Sequence, residues 1–177
     1  ASIWLSDKAV LDGSKPIRGG IPLCWPWFGP APARVGSGKP AHGFARTSLW
    51  TLDGVSDHGD GTLVHLSLRD TAASRALWPH AFELELDVLV GKELSLVLTT
   101  RNTGKTPLTY NAALHTYLQI SAPEAVSVTG LGEPYADKLT GQDGQQQGAL
   151  TLIAAIDRVY HQAGAMVMAA STHSMVR

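Results

Sequence analysis

The sequence is short of several things, and each shortage closes off a class of function. Charged side chains are only 16% of its 177 residues, 14 Lys and Arg against 15 Asp and Glu. A formal net charge of −1 gives no broad electrostatic field, so a nucleic-acid partner is not expected. No apolar run approaches the roughly 20 residues that a membrane helix requires, so no membrane partner is expected either. Cys24 is the single cysteine; it allows no intrachain disulfide and makes no metal site alone. It lies in the apolar run Ile21–Phe28, where a packed side chain is expected. A reactive thiol would want a base and electropositive surroundings. The seven histidines show no zinc pattern such as His-Glu-x-x-His, and no Walker-type loop is present. The chain opens with neither a charged n-region nor an apolar h-region. With one cysteine, that gives the expectation of a cytoplasmic protein.

What is present is a globular composition, 44% apolar, at a length that suits one domain over residues 1–177. The dominant period is two. In "ELELDVLV" (Glu83–Val90), Leu84, Leu86, Val88 and Val90 fall on one face and Glu83, Glu85 and Asp87 on the other. "LSLVL" (Leu94–Leu98) and "LVHLSL" (Leu63–Leu68) repeat this less strictly, and "LTYNAALHTYLQI" (Leu108–Ile120) is the longest case. Half-buried antiparallel strands produce such alternation. Turn signals at Asp57–Gly61, Gly91–Lys92 and Asn102–Pro107 separate them. One short helix is expected in "DTAASRALWP", capped by Asp70 and stopped by Pro79. The polar "TGQDGQQQG" (Thr140–Gly148) reads as an exposed loop. The fold class is therefore an antiparallel all-β sandwich.

Most of the histidines have plain explanations. His58 sits in a Gly/Asp turn, His65 on the polar face of a strand, and His80 beside the helix stop; His161 and His173 have no motif around them. His115 differs. Asn111, Ala113, His115, Tyr117 and Gln119 share one face of their segment, a mixture of aromatic and hydrogen-bonding groups such as a sugar site needs. A solvent-exposed sheet face bearing a histidine fits the same spacing. Further back, "PIRGGIPLCWPWFGPAPARVGSGKPAHGFAR" sets Arg18 and Arg46 beside glycine turns, among four large aromatics. Guanidinium forks there suit a phosphate or carboxylate. The bland alternative is a pair of arginines satisfying loop carbonyls.

Taken together, "PIRGGIPLCWPWFG", "HGFAR" with the following Trp50, "NAALHTYL" and "DRVY" (Asp157–Tyr160) resemble, in order, the D-hexose-6-phosphate mutarotases, or glucose-6-phosphate 1-epimerases. These form a branch of the aldose 1-epimerase family with a galactose-mutarotase-like β-supersandwich. The resemblance runs from about Trp4 to Tyr160. It implies that His115 is the acid that protonates the pyranose ring oxygen. It implies further that Arg18 and Arg46 hold phosphate or substrate, that His42 lies at the site, and that Asp157 binds sugar hydroxyls. The implied partner is a small sugar phosphate, handled by a monomer without any cofactor. One acid and one base suffice for anomer interconversion, each worth typically 10²–10⁴-fold.

The sequence departs from the family at the base, a glutamate on a strand well after the "DRVY" region. None of Glu83, Glu85, Glu93, Glu124 and Glu133 matches that position. The expectation is a sandwich incomplete at both ends, with the base beyond Arg177. Two other readings stand beside the enzyme. One is a carbohydrate-binding sandwich lacking the base. The other is a partner-binding sandwich that packs Trp25 and Trp27 into a protein interface.

Overall fold

The computed structural model describes residues 3–14, 17–171 and 175–176; Pro16 of the first motif and His173 lie outside them. The chain forms two compact units, one from residues 22–115 and one from residues 1–21 with 116–177. Every pair of described strands is antiparallel, in keeping with the alternation in the sequence. No helix among the described residues is long and apolar enough to cross a membrane.

The unit of residues 22–115 contains β1 (Leu23–Cys24), β2 (Thr51–Asp57), β3 (Gly61–Arg69), helix α1 (Ala72–Leu77), β4 (Phe82–Gly91), β5 (Leu94–Asn102) and β6 (Ala113–Leu114). Strands β2 to β5 form a four-stranded meander. Its register places Leu68 opposite Leu84 and Leu66 opposite Leu86, so the apolar faces of β3 and β4 coincide and turn inward. The opposite face carries matched charges. Glu83 is paired with Arg69 and Glu85 with Arg101, while His65 meets Asp87. The turn between β2 and β3 closes where Asp57 accepts the Gly59 N–H at 3.0 Å.

Helix α1 starts one residue later than the sequence suggests. Thr71, not Asp70, is the cap: its hydroxyl accepts the Ser74 N–H at 3.1 Å, and the Ser74 hydroxyl accepts the Thr71 N–H at 2.8 Å. Asp70 is engaged elsewhere, accepting the Phe82 N–H at 3.1 Å and pairing with Arg75. Both residues are good caps, and the second partner across the chain decides between them.

The long strand expected over Leu108–Ile120 is not formed. Only Ala113–Leu114 pairs as a strand, opposite Leu23–Cys24. The reason lies in the partner segment. The Asn111 N–H donates to the Pro26 carbonyl at 3.1 Å and the His115 N–H to the Pro22 carbonyl at 3.0 Å. Neither proline has an N–H to return the bond, so the ladder is one-sided and regular pairing stops.

The core lies between this segment and the meander. Trp25, with no exposed surface, has its ring 5.1 Å from Trp78, 4.6 Å from Phe82 and 5.7 Å from Phe44. Trp27 is equally deep and donates its indole N–H to the Pro40 carbonyl at 3.0 Å. Aromatic side chains of this size dominate a small core, each burying about 150–250 Å². Both tryptophans are thus consumed inside the unit, which overturns the reading that they form a partner interface. Cys24 is buried as expected; burial raises its thiol pKa, and the charge of Arg46 offsets part of that rise.

The unit of residues 1–21 and 116–177 contains β7 (Val126–Thr129), β8 (Pro134–Asp137), β9 (Gln142–Gln145), β10 (Leu150–Thr151), β11 (Arg158–Tyr160), β12 (Met168–Ser171) and β13 (Met175–Val176). They form two small sheets, in the orders β10-β7-β12-β13 and β11-β8-β9. The expected polar loop at Thr140–Gly148 contains an edge strand, β9. Asp137 accepts the N–H groups of Leu139 and Thr140 at 2.9 and 3.2 Å, and this tight turn folds Gln142–Gln145 back onto β8. Polar composition did not exclude a strand, because its exposed side chains need no core. At the other end of the unit, Trp4 stacks on Tyr117 with centroids 5.9 Å apart.

Candidate active site

Three rings meet at the edge of the unit of residues 22–115. The Phe28 ring centroid is 4.9 Å from that of His42 and 6.0 Å from that of His115, and the two imidazoles are 6.1 Å apart. Phe28 and His115 are exposed and His42 is half-buried. An aromatic face beside two hydrogen-bonding imidazoles suits a sugar ring, which offers C–H faces and hydroxyl edges.

The His42–Arg46 turn places one of these rings, together with the Arg46 side chain, by packing against the core. Gly43 has φ +68, and a Cβ there would lie 2.0 Å from the Trp25 carbonyl oxygen. Only glycine permits both the left-handed backbone and that approach. The same carbonyl accepts the N–H groups of Phe44 at 3.0 Å and Ala45 at 3.2 Å. Phe44 and Ala45 are buried, while Arg46 emerges on a 3₁₀ turn over Ala45–Thr47. Arg46 donates one guanidinium N–H to the Ala41 carbonyl at 3.1 Å. A guanidinium carries five donors, so most of the fork is left for an anion.

His42 itself has φ +64, a left-handed conformation uncommon for any residue but glycine. Gly29 holds it at two points. The His42 N–H donates to the Gly29 carbonyl at 2.7 Å, and Nδ1 of His42 accepts the Gly29 N–H at 3.1 Å. Next to Gly29, the Phe28 N–H donates to Oδ1 of Asn111 at 2.6 Å.

The two remaining residues of the sequence-derived set belong to the other unit. Arg18 is exposed; its carbonyl accepts the Ser6 N–H at 3.0 Å. The glycine after it does not open space for a ligand: a Cβ on Gly19 would lie 2.6 Å from the Cα of Leu5, so its close approach is to the chain itself. Asp157 is exposed just before β11, its carbonyl accepting the Lys138 N–H at 2.8 Å and Oδ1 lying 3.9 Å from Nζ of Lys138. Its neighbour Arg158 lies over the Tyr135 ring at 4.1 Å and donates to Asp137 at 3.1 Å. That bond holds the Asp137 carboxyl below the usual carboxylate range.

Phe28 is not marked in the sequence as a site residue, and Asn111 is visible there only as a member of the face that carries His115. Phe28 lay inside the first quoted motif, and Asn111 shared a face with His115. Phe28 carries no signal separating it from a packing residue. A second concavity of about 350 Å³ on the outer face of the meander is lined by Asp53, His65, Arg69, Glu83, Glu85 and Asp87. Its charges are largely spent on one another in the pairs already described. Among the described residues, no three His, Cys, Asp or Glu side chains gather as a metal site would need.

Comparison with known proteins places this geometry in context. The family described as Aldose 1-epimerase matches residues 1–175. A protein of Escherichia coli strain K12, provisionally named glucose-6-phosphate 1-epimerase, is 37% identical over 160 residues, 89% of this chain and 52% of its own length. A protein of Cenchrus ciliaris with the same provisional name is 35% identical over 170 residues, 89% of this chain and 50% of its own. A crystal structure from Salmonella typhimurium, provisionally titled a mutarotase, superposes with a TM-score of 0.86 at 32% identity, covering 96% of this chain and 56% of that one. The chain spans about half the length of the curated relatives it matches. With a match over nearly its whole length and a fold shared with that crystal structure, this chain belongs to the aldose 1-epimerase family.

Proposed function

We propose that this protein interconverts the α and β anomers of a hexose 6-phosphate by acid–base ring opening and closure. The observation that carries the reading is the meeting of His42, His115 and Phe28, with Arg46 on the same turn as His42, in a chain of this family. His115 donates a proton to the ring oxygen while a base removes the proton of the C1 hydroxyl. The bond between C1 and the ring oxygen breaks, leaving a carbonyl at C1 and a hydroxyl at the former ring oxygen. Rotation about the bond next to C1 presents the other carbonyl face, and the reverse transfers close the ring. An imidazole can both donate and accept a proton, so the same side chain serves the step and its reverse.

In this reading Phe28 supports the apolar face of the sugar. His42 binds its oxygens, and Arg46 takes the phosphate. Glu83 and Glu85 are not taken as the base, since they are paired with Arg69 and Arg101.

The test is anomer exchange measured by NMR on glucose 6-phosphate, with glucose and a His115→Ala variant as controls. Fast exchange that favours the phosphorylated sugar and is lost in the variant is expected. Line broadening of the sugar phosphate without exchange would instead support a binding sandwich that lacks a base. Neither broadening nor exchange would sink both readings.

A further inference from the structure

We propose that Asn111 is a positioning residue: acting through Phe28 and Gly29, it holds His42 as the tautomer protonated at Nε2. The inference deepens the proposed site and rests on that reading only for its kinetic consequence.

The chain of contacts is short and directional. Asn111 is fixed from behind, its own N–H donating to the Pro26 carbonyl at 3.1 Å. A backbone N–H can only donate, so the atom 2.6 Å from the Phe28 nitrogen must be the amide oxygen of Asn111. That contact orients the Phe28–Gly29 segment, and Gly29 then donates its N–H to Nδ1 of His42 at 3.1 Å. A ring nitrogen that accepts cannot carry a proton, so neutral His42 bears its hydrogen on Nε2. The left-handed backbone of His42 supplies the second constraint. A residue held at φ +64 persists only where its surroundings over-determine it. Here they do, because Gly29 also accepts the His42 N–H at 2.7 Å.

The consequence is a division of labour between the two histidines. With Nδ1 occupied, His42 presents a fixed N–H donor to a sugar oxygen. Its basic nitrogen, Nδ1, is engaged by the Gly29 N–H and does not compete with His115 for the transferred proton. Asn111 itself need not touch substrate.

The experiment uses the full chain labelled with ¹⁵N-histidine, read by long-range ¹H–¹⁵N NMR at a pH where the imidazoles are neutral. The wild type is expected to show His42 as a single Nε2–H tautomer. Finding the proton on Nδ1 would overturn the proposal before any variant is made. In Asn111→Ala the His42 signals are expected to become a mixture of tautomers. Asn111→Asp keeps the acceptor oxygen and is expected to restore the single tautomer. In the kinetic arm, Asn111→Ala should raise KM about fivefold to tenfold, as one lost hydrogen bond does, with kcat changed less and Asn111→Asp recovering most of the loss. A His42 tautomer unmoved in Asn111→Ala would refute the positioning role. Because the tautomer is read without turnover, failure of the epimerase reading would leave this test intact.

Discussion

Replacing Gly43 by alanine tests whether the site turn is fastened to the core as tightly as its geometry implies. An L-residue at φ +68 costs about 1–2 kcal/mol on conformation alone. The new Cβ would also fall 2.0 Å from the Trp25 carbonyl oxygen and 2.3 Å from its carbon. No side-chain rotation relieves that, because both partners are backbone. The turn must withdraw, straining the two hydrogen bonds from Phe44 and Ala45 to the same oxygen, each worth about 1 kcal/mol. Local overpacking adds about 1–3 kcal/mol. Gly38 isolates the conformational part. It has φ +73 and nothing within 4 Å of its would-be Cβ, so Gly38→Ala pays the left-handed cost alone. Gly43→Ala is therefore expected to be less stable than Gly38→Ala by about 2–4 kcal/mol, a large part of the 5–15 kcal/mol typical of a domain. Urea unfolding followed by tryptophan fluorescence measures it, since four of the five tryptophans lie in the unit of residues 22–115. Two variants within about 1 kcal/mol of each other would refute the close approach as the source of rigidity.

Three further outcomes are expected. His115→Ala should lower the rate of anomer exchange by about 10²–10⁴-fold while leaving the circular dichroism spectrum unchanged; a variant with full activity would remove His115 from the acid role. Arg46→Ala should weaken a phosphorylated sugar by about 1.5–3 kcal/mol and an unphosphorylated one far less, read as KM for each, with equal losses marking Arg46 as structural. Asp137, held below its ordinary pKa by Arg158, contributes stability that is present above the usual carboxylate range and lost as pH falls through its folded value. Asp137→Asn should thus lower the urea midpoint at neutral pH and flatten its decline in acid, and an unchanged acid limb would count against the pairing.

The meander was legible because its signal is local. In Glu83–Val90 the period of two decides which face is buried, and β4 follows it, with Leu84 and Leu86 inside and Glu83 and Glu85 paired outside. The same period misled over Leu108–Ile120, because pairing depends on the donors of a partner nearly ninety residues away. Pro22 and Pro26 remove those donors, and nothing within Leu108–Ile120 records it. Thr140–Gly148 failed for a related reason. An edge strand with exposed side chains carries no apolar alternation, and its cause is the turn at Asp137. Of the residues named by the motifs, His42, Arg46 and His115 lie in one unit. Arg18 and Asp157 were found the same way and lie in the other. The contact between Asn111 and Phe28 spans 83 residues, so it could be seen only in the folded chain.

The five residues of "HGFAR" face two different kinds of selection. The outer pair, His42 and Arg46, reaches the surface, where in the proposed site a substitution would change what is recognised. The inner three, Gly43, Phe44 and Ala45, are sunk against Trp25, where a substitution decides whether there is a protein at all. In the proposed site, new specificity is therefore open at the two ends of the turn and closed in its middle. A mutational library directed at the site should return its functional variants from those ends, with the interior positions surviving almost only as themselves.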